Sequence, residues 1–417
     1  MSAAMPKTAP PRSATPRPAK SEPANALPIY LDNQASTPLD PRALDAMMPY
    51  FTEHFGNPHS ESHVYGRNAM AAIDAARAEI ARLIGADPRE ITFTSGATEA
   101  NNLAIKGAAH FARAHPATGG ARDRIIALTT EHKCVLESCA ALEREGFRVT
   151  YLPVEPGGLV ALDRLADALD DETLLVSIMA AHNEIGVIQP LAAIGALCRS
   201  RGALFHTDAA QAAGKIPLDV EAMKIDLMSI SSHKLYGPKG IGALYVRRRP
   251  RVRLVPLFDG GGQERGLRSG TLPTPLCIGF GRAAALAAAE MTDEAARIAG
   301  LRDRLEQNLA RRVPGVLVNG NRENRLAGNL NLSFPGLTAP EMIEACPSIA
   351  ISTGSACTSA AIEPSYVLRA LGLSDERANA ASRIGIGRFN TAADVDFAVD
   401  ALAAAVARLT PRLRPAI

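Results

Sequence analysis

Lys234 stands at the end of 231-SSHK-234, directly after the apolar run 227-LMSI-230 and at the head of a glycine-rich stretch, 234-KLYGPKGIGALYV-246. Glycines allow close approach of backbone, which suits a lysine packed in a crevice, where lost hydration makes its amine nucleophilic. Other reactive residues hold the same position relative to an apolar run. Asp208 and Gln211 follow 203-ALFHT-207, Asn183 follows 174-LLVSIMA-180, His132 follows 125-IIALTT-130, and 95-SGAT-98 closes 91-ITFTS-95. Open parallel sheets bind ligands beyond the carboxyl ends of their strands, so these five segment ends are expected to meet in one crevice. The turn 94-TSGATEANN-102 precedes a helical stretch, 99–114. A helix N-terminus with free N–H groups is a phosphate site, although Ser or Thr ahead of Glu is also an ordinary helix cap. The hydroxyls of Ser231 and Ser232, with His233, could reach the same phosphate.

Six cysteines, Cys134, Cys139, Cys198, Cys277, Cys346 and Cys357, show no paired spacing, which argues against a disulfide framework or a zinc module and fits a reducing, cytoplasmic setting. Free cysteines are more often small buried hydrophobes than nucleophiles, and five of the six are read that way. Cys357 differs. Its surroundings, 352-STGSACTSA-360, are small, polar and glycine-containing, the composition of an exposed loop on which a thiolate could travel.

The elements that must position these residues follow from periodicity. Seven apolar segments (91–95, 125–130, 149–153, 174–180, 203–209, 227–231 and 242–246) read as strands, with helical patterns such as 69–85 and 190–202 between them. Continuous apolar strands alternating with helices imply a mostly parallel sheet covered on both faces, an α/β fold. An Ala-rich helix over 281–313 leads toward a smaller α+β unit, with strands near 329–334 and 348–353 and helices near 364–372 and 393–409. At 417 residues a large and a small domain are expected. Hydrophobic residues make up 47% of the chain and the formal charge is +2, which gives no reason to expect nucleic-acid binding or an acidic membrane as partner. No apolar run approaches the roughly 18 residues of a membrane span, so the chain reads as soluble. The first 27 residues, rich in Pro and Ala, are expected to be disordered; their prolines interrupt the amphipathic helix that a targeting peptide would form.

Seven ordered motifs then carry a family resemblance: 94–107, 131-EHKCVLESC-139, 182-HNEIGVIQP-190, 207-TDAAQAAGK-215, 229–248, 260-GGGQERGLRSGTL-272 and 352–372. From Ile29 to about Leu409 the chain resembles the NifS/IscS-type cysteine desulfurases, members of the class-V aminotransferase-like family of fold-type-I pyridoxal-phosphate enzymes. The resemblance implies a seven-stranded cofactor domain over 44–289, and a small α+β domain made of 28–43 and 290–417 that carries Cys357 and Arg383.

It also implies roles. Lys234 holds pyridoxal 5'-phosphate covalently and acts as the Cα base, Asp208 pairs with the pyridine nitrogen, and His132 stacks on the ring and shuttles protons. Gln211 and Asn183 bind the phenolic oxygen. Ala97, Thr98, Ser231, Ser232 and His233 form the phosphate cradle, to which Thr271 adds a contact from the other subunit of a homodimer. Arg383, with Asn183, binds the carboxylate of L-cysteine, while nearby Arg388 is structural. Cys357 takes the sulfur as a persulfide and passes it to an acceptor or iron–sulfur scaffold protein. The resemblance gives the chain no metal site of its own; Cys357 is the residue that could be shared with a cluster on the scaffold. Two departures stand out: Ser232 replaces a glycine of many relatives, and 410-TPRLRPAI-417 is shorter than the tail some relatives use for scaffold docking, which leaves docking by that route open. A selenocysteine lyase or other lyase would not need Cys357, an aminotransferase would have no use for it, and a non-catalytic partner would not need Lys234.

Overall fold

The computed structural model of the chain describes residues 27–116, 122–353 and 364–410. Cys357, the extension 1–26 and the last residues, 411–417, lie outside the described residues, and the expectations placed on them are not addressed by the fold.

The strands are β1 (Ile29–Tyr30), β2 (Ile91–Thr94), β3 (Arg124–Leu128), β4 (Arg148–Leu152), β5 (Thr173–Ser177), β6 (Leu204–Asp208), β7 (Leu227–Ser231), β8 (Gly242–Val246), β9 (Leu317–Val318), β10 (Asn329–Ser333), β11 (Ile349–Ala350), β12 (Ser352–Thr353) and β13 (Ala381–Gly385). Seven of them form one sheet in the order β2-β8-β7-β6-β5-β3-β4. Every pairing is parallel except the two made by β8, which runs antiparallel to β2 and β7. Side chains alternate between faces along a strand, and both faces here are apolar. Ile126, Leu128, Val176, Met228, Ile230, Ala243 and Tyr245 enter one core with Ile73 and Ile80 of the Val64–Leu83 helix and Phe280 of the long Thr274–Arg312 helix. Ile125, Ala127, Leu175, Leu227, Leu244 and Val246 face the other way, against Leu103 and Ile105 of the Ala97–Ala114 helix and Val135 and Leu142 of the Lys133–Arg144 helix. That two-sided burial is why the strands read as continuous apolar runs.

The Thr274–Arg312 helix, 39 residues and about 58 Å long, serves two cores. Cys277, Phe280, Ala283 and Ala287 pack on the large sheet, whereas Ile298, Leu301, Leu305 and Leu309 pack with Leu330, Leu332, Ile384, Val395 and Leu402. The second core lies under a four-stranded antiparallel sheet, β12-β13-β10-β9. Alternation along β10 and β13 sends Leu330, Leu332 and Ile384 into that core and leaves Asn329, Asn331 and Arg383 for the opposite face. Asn329 and Asn331 donate there to the Glu184 carbonyl at 3.2 and 3.3 Å, so the polar face of the small sheet meets the loop after β5.

The chain's first described segment bridges the two sheets. β1 pairs in parallel with β11, Asp32 forms a bridge to Gly385, and Thr37 then accepts the turn after β7, its N–H and Oγ1 both donating to the His233 carbonyl at 2.9 Å. Among the described residues no helix is long and apolar enough to cross a membrane.

Candidate active site

A cleft of about 560 Å³ opens where the strand ends of the large sheet face the polar side of the small one. Ala97, Thr98, His132, Asn183, Asp208, Gln211, Ser231, His233, Lys234 and Arg383 all line it, with Gln34, Ala35, Cys134 and Tyr366 completing the wall. Residues as far apart in sequence as Ala97 and Lys234 therefore meet because five strands end on one side, and Arg383 joins them from β13 of the small sheet.

At the end of β2 the chain turns through Gly96, whose φ of +156° belongs to glycine, and enters the Ala97–Ala114 helix with no side-chain cap. The first intrahelical bond runs from the Ala100 N–H to the Gly96 carbonyl, so the N–H groups before it are left for a ligand. Thr94 and Ser95 do not cap the helix: Thr94 Oγ1 donates to the Gly96 carbonyl at 3.0 Å, and the Ser95 N–H donates to Glu99 at 2.8 Å. Ser231 at the end of β7 is buried, and His233 sits 3.1 Å from Ser36 Oγ. Burial, then the charge of Lys234, pushes His233 down to about 4 and keeps it neutral.

The expectation that Ser232 joins this cradle is not met. The chain makes one 3-10 turn at Ser232–Lys234, which rotates Ser232 away from the cleft. Its Oγ is fully buried without a partner and lies so close to Gly237 that a Cβ there would sit 2.1 Å from it. Thr271 is exposed and does not line this chain's own cleft.

The same turn aims Lys234 across the cleft, where Nζ donates to the Gln34 and Ala35 carbonyls at 2.5 and 2.8 Å. Asp208 closes β6 and is 6% exposed. Its Oδ1 accepts from the Ala210 N–H at 2.9 Å and its Oδ2 from Asn101 Nδ2 at 2.7 Å. Gln211, three residues on in the turn after β6, donates from Nε2 to the Gln34 carbonyl at 2.8 Å.

His132 caps the Lys133–Arg144 helix, its Nδ1 accepting the Cys134 N–H at 3.2 Å. That bond places the ring proton on Nε2. Cys134 Sγ lies 3.0 Å from the same Nδ1 and 3.1 Å from Asn101 Nδ2, so Cys134, read from sequence as a buried hydrophobe, is instead part of the cleft wall and links His132 to Asp208 through Asn101. Cys139, Cys198, Cys277 and Cys346 are buried thiols, as expected.

Arg383 reaches the cleft from β13 while remaining 2% exposed. It donates to Asp32 Oδ1 at 2.8 Å and to the Asn183 carbonyl at 3.1 Å. Arg388 is structural: it pairs with Asp40 at 2.7 Å and Glu294 at 2.8 Å and covers the Tyr236 ring.

Three residues in or beside the cleft wall had no clear sequence signal. Glu131 looks like a solvated charge ahead of a helix, yet it is fully buried. Its Oε1 accepts the Met179 N–H at 2.9 Å and its Oε2 has no partner, and burial, with Asp208 adding repulsion, raises its pKa well above the ordinary carboxyl value. Gln34 and Ala35 act through carbonyls, which any residue carries; the polar run 32-DNQAS-36 beside a two-residue strand was the only available hint.

The donor set fits pyridoxal phosphate: an uncapped helix N-terminus for a phosphate, a buried carboxylate for a pyridinium nitrogen, and a lysine amine between them for an aldehyde.

Comparison with known proteins agrees. The family model for class-V aminotransferases matches residues 29–397. The cysteine desulfurases IscS of Rickettsia akari (strain Hartford) and Rickettsia typhi (strain ATCC VR-144 / Wilmington) are each 55% identical over 383 residues, 92% of this chain and 92% of theirs. Among solved structures, a NifS-like protein superposes with a TM-score of 0.85 at 36% identity, over 92% of this chain and 100% of its own. SspA in complex with cysteine gives 0.76 at 38% identity, over 87% of this chain and 100% of its own.

Proposed function

Since this chain belongs to the class-V aminotransferase family and, within it, to the cysteine desulfurases, we propose that its cleft takes L-cysteine and that Cys357 receives the sulfur, leaving L-alanine. The enzyme depends on pyridoxal phosphate, which when bound supplies an electron sink joined to the substrate's amino group. Lys234 and Asp208, brought from neighbouring strand ends to one cleft, carry this reading.

Arg383 binds the substrate carboxylate, its planar fork held in register by the Asn183 carbonyl and Asp32. Lys234, once displaced from its covalent link, takes the Cα proton on Nζ, and the Gln34 and Ala35 carbonyls hold that ammonium. His132 presents an Nε2–H, because its Nδ1 is occupied by the Cys134 N–H. The Cys357 thiolate attacks the substrate sulfur: an S–S bond forms as the C–S bond breaks, and the electron pair left on carbon is protonated to give alanine. Exchange with an acceptor thiol then releases the persulfide toward iron–sulfur cluster assembly or thiolation.

The two hydrophobic cores support a division into a cofactor-binding unit over 44–289 and a smaller unit of 28–43 with 290–417. A homodimer with composite sites accounts for Thr271, exposed and off this chain's own cleft, and for the exposed side chains Met48, Phe51, Phe55 and Tyr65.

The test is alanine production from L-cysteine. The wild type is expected to make alanine and to carry one added sulfur on the Cys357 peptide. Lys234→Ala loses the covalently held cofactor and at least about 1,000-fold in rate, in the range seen when a catalytic group is removed. Cys357→Ser keeps the cofactor and loses the sulfur adduct. Normal turnover by Lys234→Ala would contradict the proposal, as would an adduct confined to another cysteine.

A further inference from the structure

Lys215 does not line the cleft. It follows Gly214, where φ is +73° and a Cβ would lie 2.9 Å from Ala287, and it borders a small separate cavity of about 40 Å³ together with Gln34, Tyr236 and Glu294. From behind the cleft wall its Nζ donates to Gln211 Oε1 at 3.1 Å. With Oε1 engaged, the amide of Gln211 has one orientation, and Nε2 donates to the Gln34 carbonyl at 2.8 Å. That carbonyl oxygen also accepts Lys234 Nζ at 2.5 Å. Lys215, Gln211 and Lys234 thus form one chain of bonds through a single backbone oxygen.

We propose that Lys215 is a positioning residue that acts through Gln211, fixing which end of the amide meets the Gln34 carbonyl and setting a second cation behind Lys234. The inference rests on Lys234 being the lysine that holds pyridoxal phosphate. A reversed amide would turn Oε1 toward the Gln34 carbonyl, oxygen against oxygen, and Nε2 toward the Lys215 ammonium, donor against donor, so the donor at Lys215 adds to the Gln34 carbonyl in excluding that arrangement. The charge acts in addition. Lys234 and Arg383 face Lys215 with like charge and Glu294 with opposite charge, and Glu294 is shared with Arg388 at 2.8 Å. His233, a further titratable neighbour, is itself lowered in part by Lys215, and the Tyr236 phenol, raised by burial and so neutral, borders the same cavity. Burial first and Lys234 second push Lys215 down to about 7. The repulsion is mutual, so Lys215 makes the Lys234 nitrogen release its proton more readily.

Pyridoxal phosphate linked to a lysine has a visible absorption band that changes as the linking nitrogen titrates, and the midpoint of that change in the holoenzyme is the readout. Lys215→Met is expected to raise the midpoint by about half a pH unit or more where Lys215 is charged, because a neighbouring cation has gone, while Lys215→Arg, charged throughout, holds it at or below the wild-type value. Lys215→Gln, neutral and polar, replaces the Met variant if the latter does not fold. Cofactor affinity tests the bonding: Lys215→Met weakens it in the wild-type background but not further in Gln211→Leu, since the two act as one unit. A role confined to packing would lower the melting temperature and leave the midpoint alone. An unmoved midpoint in the Met and Gln variants overturns the proposal, as does an Arg variant shifted as far as Met. Lys234→Ala, run alongside, separates the premise: if it keeps the band, Lys234 is not the linking residue and the inference falls with it.

Discussion

Glu131 and Asp208 are neighbouring buried carboxyls in different surroundings. Asp208 accepts from Asn101 and Ala210, whereas Glu131 has one oxygen on the Met179 N–H and the other on nothing. Burial raises the Glu131 pKa above the ordinary 4.5, so the folded protein holds a proton there that the unfolded chain releases. The sign follows from linkage: this contribution is fully present below 4.5 and is lost as pH rises toward the folded value. Glu131→Gln, neutral at every pH, is therefore expected to gain on the wild type as pH increases, by on the order of 1–3 °C in melting temperature between pH 5 and pH 9 for each kcal/mol involved. Melting curves of the two proteins across that range are the check, and parallel curves would show that Glu131 stays ionised. Lys234, Asp208 and His132 were legible in the sequence because residue type and strand-end position coincide. Glu131 and Cys134 were not, because their surroundings come from elsewhere: Met179 follows β5, Asn101 lies on another helix, and no local pattern announces either contact. Ser232 failed for a different reason, since one short helical turn sends His233 and Lys234 inward and turns Ser232 away.

The element on which the proposed phosphate site depends is the turn from β2 into the Ala97–Ala114 helix. Gly96 has φ +156° and ψ −178°, a region that only glycine occupies without strain, and a Cβ there would meet nothing within 4 Å. Gly96→Ala therefore tests backbone strain without a clash. About 1–3 kcal/mol of strain is expected to move the helix N-terminus and raise the cofactor dissociation constant about tenfold, measured by titrating the apoenzyme. Gly300→Ala, in the exposed stretch of the long helix with open space around it, is the control and leaves affinity unchanged. Affinity equal to wild type in Gly96→Ala would remove the turn from the phosphate site. At this scale the large sheet was readable to within a few residues, because burial on both faces leaves uninterrupted apolar runs. Two-residue β1 and β11 carry no such signal; they exist through pairing across about 320 positions of chain, which no window along the sequence contains.

In the whole molecule, two sheets with separate cores meet across the cleft, and the proposed dimer adds a second boundary. Thr271 is exposed on its own chain and absent from its own cleft, so its proposed phosphate contact exists only if a second subunit brings it there. That arrangement has a consequence that single variants do not reveal. Thr271→Val alone should weaken cofactor binding about tenfold to a hundredfold, the worth of one hydrogen bond to a charged group. Lys234→Ala alone should be inactive. In a hybrid dimer of the two variants, one site combines both defects, while the other takes Lys234 from one chain and Thr271 from its partner and is intact. Unfolding and refolding an equal mixture should therefore restore tight cofactor binding and wild-type turnover to about one site in four, since half of the dimers are hybrids and each holds one good site. If Thr271 served its own chain's cleft, every site in the hybrid would keep one defect. The mixture would then bind cofactor no more tightly than Thr271→Val alone, and absorbance titration of the tagged, separated hybrid distinguishes the two arrangements.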